Sequence, residues 1–307
     1  MKISIALATY NGTRYLREQL DSFVAQSRPP DELVITDDNS TDDTISIIKS
    51  FASQAPFEIR YSVNEKNIGY TANFERAIQQ CTGDLIFLSD QDDIWLPEHL
   101  SVLLKHLKNT NCSLVGGNAL LVDSYNKDLN CKLINNNNLP SNTEDFNTMV
   151  LYRNVFQGAS ILFEKDILVK ALPFPDSMKY HDWWLALVAS ELKGVNYINI
   201  PILRYRQHEN NASGAHKKDS FKERVLKFFN SDITENSTKL FSVLEPFYNI
   251  SSNKQNVKLA LEYARNCKER KFSGLLNFNK YYKKIYFNES YFMFLVRKIK
   301  MLLNIIF

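Results

Sequence analysis

The chain has 307 residues, 44% hydrophobic and 23% charged, which allows one large domain or a core with an appendage and excludes a disordered or fibrous class. Its net charge of +3 hides a split: residues 1–216 carry 19 Lys and Arg against 26 Asp and Glu, whereas residues 217–307 carry 18 against 8. The four cysteines, Cys81, Cys112, Cys131 and Cys267, form no CxxC pair, which argues against a zinc knuckle or a disulfide framework and points to a reducing cytoplasm.

The N-terminus enters a strand pattern at once, Lys2 to Ala8, and leaves no room for a signal peptide. A helix follows, with Leu16, Leu20, Phe23 and Val24 on its buried stripe, until Arg28-Pro29-Pro30 stops it. Glu32 to Thr36 is the second strand, and Ser40 is placed to cap the next helix, whose stripe is Ile45, Ile48 and Phe51. A third strand near Glu58 to Val63 leads through Asn67-Ile68-Gly69 into a helix carrying Phe74, Ala77 and Ile78. The fourth strand is the unbroken apolar run Leu85 to Leu88, after which Pro97 starts a helix. This βαβαβαβα order predicts an α/β fold with a mostly parallel sheet covered by helices.

Ser113 to Asp123 reads as a further strand, and the four asparagines 135–138 as a mobile loop. Beyond lie a strand at Phe156 to Phe163, a helix from Glu164 to about Leu172, a helix opened by His181-Asp182-Trp183-Trp184, and a strand at Val195 to Asn199. Trp183 and Trp184 are adjacent on a short helix and are not both expected to be ordinary core: at least one is expected against a ligand or loop, and burial under the basic tail would serve equally well. From Asp219 onward the pattern is helical. Tyr291 to Phe307 is too charged to span a bilayer but suited to lying on one.

Three polar clusters stand at the ends of the first, second and fourth strands: Thr9-Tyr10-Asn11, Asp37-Asp38-Asn39 and Asp90-Gln91-Asp92-Asp93. A parallel sheet brings such ends into one crevice, where ligands bind. Three carboxylates within four residues repel each other and call for a cation, and a hard divalent ion with a phosphate ligand fits their oxygen chemistry. Neither GxGxxG nor GxxxxGK[ST] is present, so dinucleotide binding and P-loop hydrolysis lose their main support. Read alone, Asp37, Asp38 and Asp182 can also be helix caps.

Taken in order, ALATYNG, DDNSTDDT, NIGYTANF, SDQDDIW, HDWW and YRQHENNASG resemble the family 2 glycosyltransferases, inverting enzymes of the GT-A fold that use nucleotide sugars. The resemblance spans roughly residues 1–214, and SDQDDIW and YRQH look most like the rhamnosyltransferase-like subset. It implies that Thr9, Tyr10, Asn11, Asn67 and Gly69 hold the nucleotide, that Asp38 reads a pyrimidine N–H, and that Asp90 binds the ribose. Asp92 would be the main protein ligand of Mn²⁺ or Mg²⁺, joined by His208, and Asp182 the catalytic base. Asn73, Gln91, Trp95, Gln157, Gly158, His181, Trp183 and Arg206 are expected around the sugar and acceptor, and Asp93 is expected to support rather than coordinate. Where many members carry an arginine just before Asn73 this chain has Ala72, so phosphate neutralisation is expected from Arg153, Arg204 or Arg206.

The resulting expectation is a GT-A catalytic domain over residues 1–216, with a nucleotide-sugar half to about 123 and an acceptor half from 124, followed by a basic helical region, 217–307. The donor would be dTDP-rhamnose or a UDP-hexose and the acceptor a glycan, lipid-linked, in bacterial O-antigen or capsule synthesis. No nucleic-acid partner is expected, and an oligomer is compatible with the sequence. The basic region would hold the enzyme peripherally on the anionic inner face of the cell membrane. A non-catalytic nucleotide-sugar binding protein and a metal-dependent nucleotidyltransferase are the rival readings.

Overall fold

The computed structural model describes residues 1–134, 139–140, 142–176, 178–209 and 233–269. The expected asparagine loop at 135–138 and the amphipathic segment at 291–307 lie outside the described residues. In chain order the elements are β1 (Ile3–Thr9), α1 (Leu16–Val24), β2 (Glu32–Asp37), α2 (Thr44–Ala52), β3 (Glu58–Val63), α3 (Tyr70–Gln80), β4 (Leu85–Ser89), β5 (Ile94–Trp95) and α4 (His99–Thr110). There follow β6 (Leu114–Val122), β7 (Asp128–Lys132), α5 (Thr143–Val150), β8 (Ile161–Glu164), α6 (Leu168–Ala171), α7 (His181–Ser190), β9 (Val195–Arg206), α8 (Ile233–Ile250) and α9 (Lys254–Lys268).

Contacts divide the chain into two units, residues 1–134 with 155–208, and residues 135–154 with 209–307. In the first unit the strands form one sheet in the order β3-β2-β1-β4-β8-β6-β9-β5, with β7 paired to β6. The first four strands are parallel, as their apolar runs predict. The second half is mixed rather than parallel: β8 runs antiparallel between β4 and β6, and β5 runs antiparallel to β9. Ile3, Ile5 and Leu7 alternate into a core shared with Leu16, Leu20 and Phe23 of α1, Ile48 and Phe51 of α2, and Leu100, Leu103 and Leu107 of α4. Fully burying each such side chain contributes about 1.5–3 kcal/mol, which fixes the strand ends that carry the polar loops.

Four local readings change. Val24, expected in the stripe, is 44% exposed. Ser40 does not cap α2, which begins four residues later; its hydroxyl bonds Asp37 instead. Phe156 to Ser160 is irregular backbone ending in a 3-10 turn, and only Ile161–Glu164 is strand. β9 does not stop at Asn199 but runs on through Pro201 to Arg206, pairing β6 along its length with register shifts around Asn118.

Glu32, at the start of β2, is fully buried. Burial alone would raise its pKa, but donors from Ser4, Thr82 and Lys2 outweigh that and hold the carboxyl well below its usual range. Arg60 adds a further contact at 2.9 Å, closing the sheet at the end remote from the polar loops.

In the second unit α8 packs on α9. Leu240, Val243, Leu244 and Phe247 make the buried stripe of α8, and Val257, Ala260, Ala264 and Cys267 that of α9, both at helical spacing. Asn253 caps α9 by accepting from the Asn256 N–H at 3.3 Å. No helix among the described residues is long and apolar enough to cross a membrane.

Candidate active site

β1 pairs with both β2 and β4, so the loops after these three strands meet at one sheet edge. Thr9 is opposite Asp37, and its hydroxyl donates to Asp37 Oδ2 at 2.7 Å. Ser40 donates to the same carboxylate through its hydroxyl (2.6 Å) and its N–H (2.8 Å), so Asp37 closes its own turn. Asn11 joins the turn by donating its N–H to Ser40 Oγ at 2.8 Å while its side-chain oxygen accepts from the Thr41 N–H at 2.9 Å. Asn11 and Asn39 take left-handed φ of 47° and 64°, which asparagine tolerates better than most residues. Tyr10, between these fixed points, is 47% exposed.

Asp38 is buried and accepts three protein bonds: Asn64 Nδ2 and the Ile68 N–H on Oδ1, each at 2.8 Å, and the Gly69 N–H on Oδ2 at 2.9 Å. It therefore shapes the 64–69 loop and keeps one acceptor position, on Oδ2. Gly69, at φ 86° and ψ 156°, occupies a region open essentially only to glycine. Asn67 is exposed and accepts from the Gly69 N–H at 3.1 Å. Asn73, expected at the sugar, is instead buried framework: its Nδ2 donates to the carbonyls of Thr36 (2.9 Å) and Thr9 (3.3 Å), and its Oδ1 accepts from Asn64 (3.0 Å). The Thr9 carbonyl also accepts the Asp38 N–H at 2.8 Å, so Asn73 adds a second donor there and ties the ends of β1 and β2 together.

The acidic loop is held on both sides. Gln91, also expected at the sugar, grips the Tyr10 backbone, with Nε2 donating to its carbonyl and Oε1 accepting from its N–H, both at 2.9 Å. On the other side Arg206 is 1% exposed. Its N–H donates to Asp93 Oδ1 (3.0 Å), its Nε to the Asp92 carbonyl (2.8 Å) and its guanidinium to Glu18 (2.6 Å) and the Ser124 carbonyl (3.3 Å). The guanidinium expected at the sugar, acceptor or phosphate is thus enclosed by protein. Arg204 likewise donates to Asn126.

Two residues past Arg206, His208 Nε2 lies 2.7 Å from Asp92 Oδ2. Burial, then the charges of Asp92 and Asp182, push Asp90 up to about 7. Asp93 is raised well above the carboxylate range, first by burial and then by Asp92 and Asp90, and its Oδ2 has no hydrogen-bond partner. Trp95, also expected around the sugar and acceptor, is a core residue at 2% exposure, stacked on His99 at 3.7 Å and 5°.

α7 presents Asp182 to this cluster from its first turn, with its Oδ1 accepting the Trp183 N–H at 2.7 Å. Trp183 and Trp184 are both buried, because α7 is enclosed on nearly every side, and Trp184 Nε1 donates to the Ala171 carbonyl at 2.9 Å. His181 is buried against Phe74 (ring centroids 4.6 Å apart) and Tyr70 (5.9 Å), and burial lowers it to about 4, so it is neutral. Gly158 leaves just enough room: a Cβ there would stand 3.1 Å from His181 Nε2. Gln157 Nε2 donates to the Tyr205 hydroxyl at 3.4 Å. Sequence reasoning missed Tyr15, Glu18 and Tyr70. The Tyr70 hydroxyl donates to the Lys179 carbonyl, and its phenol is raised by burial, with Asp182 and Asp90 among the further causes.

Asp92 and His208 offer one carboxylate oxygen and one imidazole nitrogen, a donor set suited to Mn²⁺ or Mg²⁺. Among the described residues no group of three His, Cys, Asp or Glu could hold a metal.

A sheet of parallel strands whose ends gather acidic loops, continued by antiparallel strands, is the GT-A architecture of glycosyltransferases. The chain is similar at the fold level to TarS 1–349 of S. aureus in complex with UDP-GlcNAc (18% identity, TM-score 0.59, 93% of this chain and 88% of that one). It is also similar to the mannosyltransferase PcManGT of Pyrobaculum calidifontis in complex with GDP-Man and Mn²⁺ (17%, TM-score 0.55, 91% and 75%). The family model described as Glycosyl transferase family 2 matches residues 4–167, and the chain belongs to that family. Among relatives, an uncharacterized glycosyltransferase of Nostoc sp. is 27% identical over 60% of this chain and 56% of its own length. The dTDP-rhamnosyl transferase RfbG of Shigella flexneri is 28% identical over 75% of this chain and 82% of its own.

Proposed function

We propose that this glycosyltransferase moves a sugar, from dTDP-rhamnose or a UDP-hexose, to a hydroxyl of a lipid-linked glycan with inversion at the anomeric carbon. The observation that carries this reading is the meeting of Asp90, Asp92, His208 and Asp182 at one sheet edge. Thr9, Tyr10 and Asn11 line the nucleotide side with Asn67 and Gly69, and the remaining acceptor position on Asp38 Oδ2 suits a pyrimidine ring N–H. Asp90 takes a ribose hydroxyl. Asp92 and His208 hold Mn²⁺ or Mg²⁺, which when bound neutralises charge developing on the diphosphate leaving group. PcManGT, with GDP-Man and Mn²⁺ bound, supports the choice of metal.

Asp182, on the first turn of α7, removes the proton from the attacking hydroxyl. Gln157, Gly158, His181 and Trp183 wall the acceptor side. RfbG, a dTDP-rhamnosyl transferase, supports dTDP-rhamnose as one donor. The excess of 18 Lys and Arg over 8 Asp and Glu in residues 217–307 supports attachment to an anionic membrane face, where a lipid-linked acceptor would reside. We read residues 1–216 as catalytic and 217–307 as the attachment region.

The test is a donor screen. dTDP-rhamnose, UDP-galactose, UDP-glucose and UDP-N-acetyl sugars are compared for thermal stabilisation and nucleoside diphosphate release, with and without Mn²⁺. A ligand at a hundred times its Kd stabilises by about 2.7 kcal/mol. Stabilisation by one donor that requires Mn²⁺ supports the reading. Stabilisation without diphosphate release on any acceptor would make the chain a binding protein, and no response to any donor would overturn both.

A further inference from the structure

The sequence points to Arg206 as a ligand-facing cation, yet its guanidinium group contacts the Asp92 and Ser124 carbonyls and the Glu18 carboxylate. Its carbon lies 4.5 Å from the ring centroid of Tyr15, and the His208 ring lies 4.9 Å from the same centroid. Residues 206 and 208 are two apart at an extended strand end, so both present to one side, and one aromatic ring seats both. Tyr15 is itself fixed at the start of α1 by its N–H bond to the Gly12 carbonyl at 3.1 Å. It is 8% exposed, and its hydroxyl has no hydrogen-bond partner, so what it supplies is the ring.

We propose that Tyr15 and Arg206 are positioning residues for the Asp92–His208 pair, setting the pair's geometry before donor and metal arrive. The proposal rests on the reading that Asp92 and His208 hold the divalent ion. Arg206 fixes the backbone of the acidic loop through the Asp92 carbonyl and the Asp93 carboxyl, and Glu18 fixes Arg206. Tyr15 fixes the plane from which His208 reaches Asp92. A site with two protein ligands among the described residues gains affinity when their mutual geometry is set in advance.

The test titrates Mn²⁺ into the full-length protein with dTDP, and separately with UDP, followed by water-proton relaxation. Tyr15→Leu and Arg206→Lys are each expected to raise the Mn²⁺ dissociation constant at least tenfold, while kcat at saturating Mn²⁺ falls less than threefold. Tyr15→Phe restores tight binding because the ring is retained. Melting curves accompany every variant. If Arg206→Lys loses its fold, Glu18→Gln, altered at a half-exposed carboxylate, is expected to weaken Mn²⁺ about threefold.

If Asp92→Asn abolishes Mn²⁺ binding while Tyr15→Leu and the Arg206 or Glu18 variant bind like the wild type, the positioning role is overturned and the metal reading stands. If Asp92→Asn and His208→Ala bind Mn²⁺ as tightly as the wild type, the metal reading fails and the positioning proposal falls with it.

Discussion

Gln91 and Tyr10 are joined at two points: the side-chain amide of one closes on the backbone N–H and carbonyl of the other, both at 2.9 Å. The loop after β4 is thereby registered against the loop after β1. A Cβ on Gly12 would stand 2.3 Å from Gln91 Oε1, so the fit admits no side chain there unless Gln91 moves. Gln91→Glu removes the donor to the Tyr10 carbonyl and sets two acceptors face to face. We expect a loss of about 1 kcal/mol in urea unfolding and a several-fold rise in KM for the donor, with Gln91→Ala behaving alike in stability.

Asp182→Asn keeps the size of the side chain and removes its basicity. Turnover is expected to drop by about 10²–10⁴ with donor binding unchanged by calorimetry. Equal turnover in the variant would exclude Asp182 as the base.

His99 carries a pH signature. Burial holds it at about 3, although its contact with the Ile202 carbonyl at 3.1 Å works the other way. An unfolded histidine titrates near 6.5, so below about pH 6.5 the unfolded chain takes up a proton that the native chain refuses. His99 therefore contributes fully above that pH, and its contribution declines by about 1.4 kcal/mol per pH unit towards pH 3. Asp90, raised in the fold, has the opposite sign, so the difference between wild type and His99→Phe isolates the histidine. At pH 7.5 the variant should be the less stable by about 1 kcal/mol, and the order should reverse by pH 5. Parallel urea curves at both pH values decide it.

Two glycines should fail for different reasons. Gly158→Ala brings a methyl against His181, forcing the ring, and with it the first turn of α7, to shift. We expect a cost of about 1–3 kcal/mol and a larger effect on acceptor KM than on donor KM. Gly69→Ala meets no atom within 4 Å, but its backbone conformation is strained for any side chain. It should cost about 1–3 kcal/mol and weaken nucleotide binding, by pulling the Gly69 N–H away from Asp38.

The strand ends were legible in the sequence because buried parallel strands are written as unbroken apolar runs, and the polar residues that follow them are conspicuous. The partners of those polar residues were not. Asn73 reaches Thr9 across 64 positions and Arg206 reaches Glu18 across 188, and nothing in the local pattern distinguishes an amide that serves a carbonyl of its own backbone from one that serves a ligand. Trp95 was misread for a related reason. It stands beside the acidic loop in sequence, but the two-residue strand β5 turns it into the core. The extent of β9 was hidden by Pro201, which normally argues against a strand interior; here it falls where the pairing with β6 slips.

That slip sets a reading frame. Along β6 and β9 the separation between partners grows from 81 positions at Leu114–Val195 to 84 at Val122–Arg206. Three surplus residues are absorbed in mid-strand, and an odd number inverts the alternation of faces beyond them. Shortening the stretch 199–202 by a single residue would put Gln207 opposite Val122 in place of Arg206, and would turn His208 with it. The chemistry at the end of β9 is thus specified by a count made well before it, in the middle of the strand.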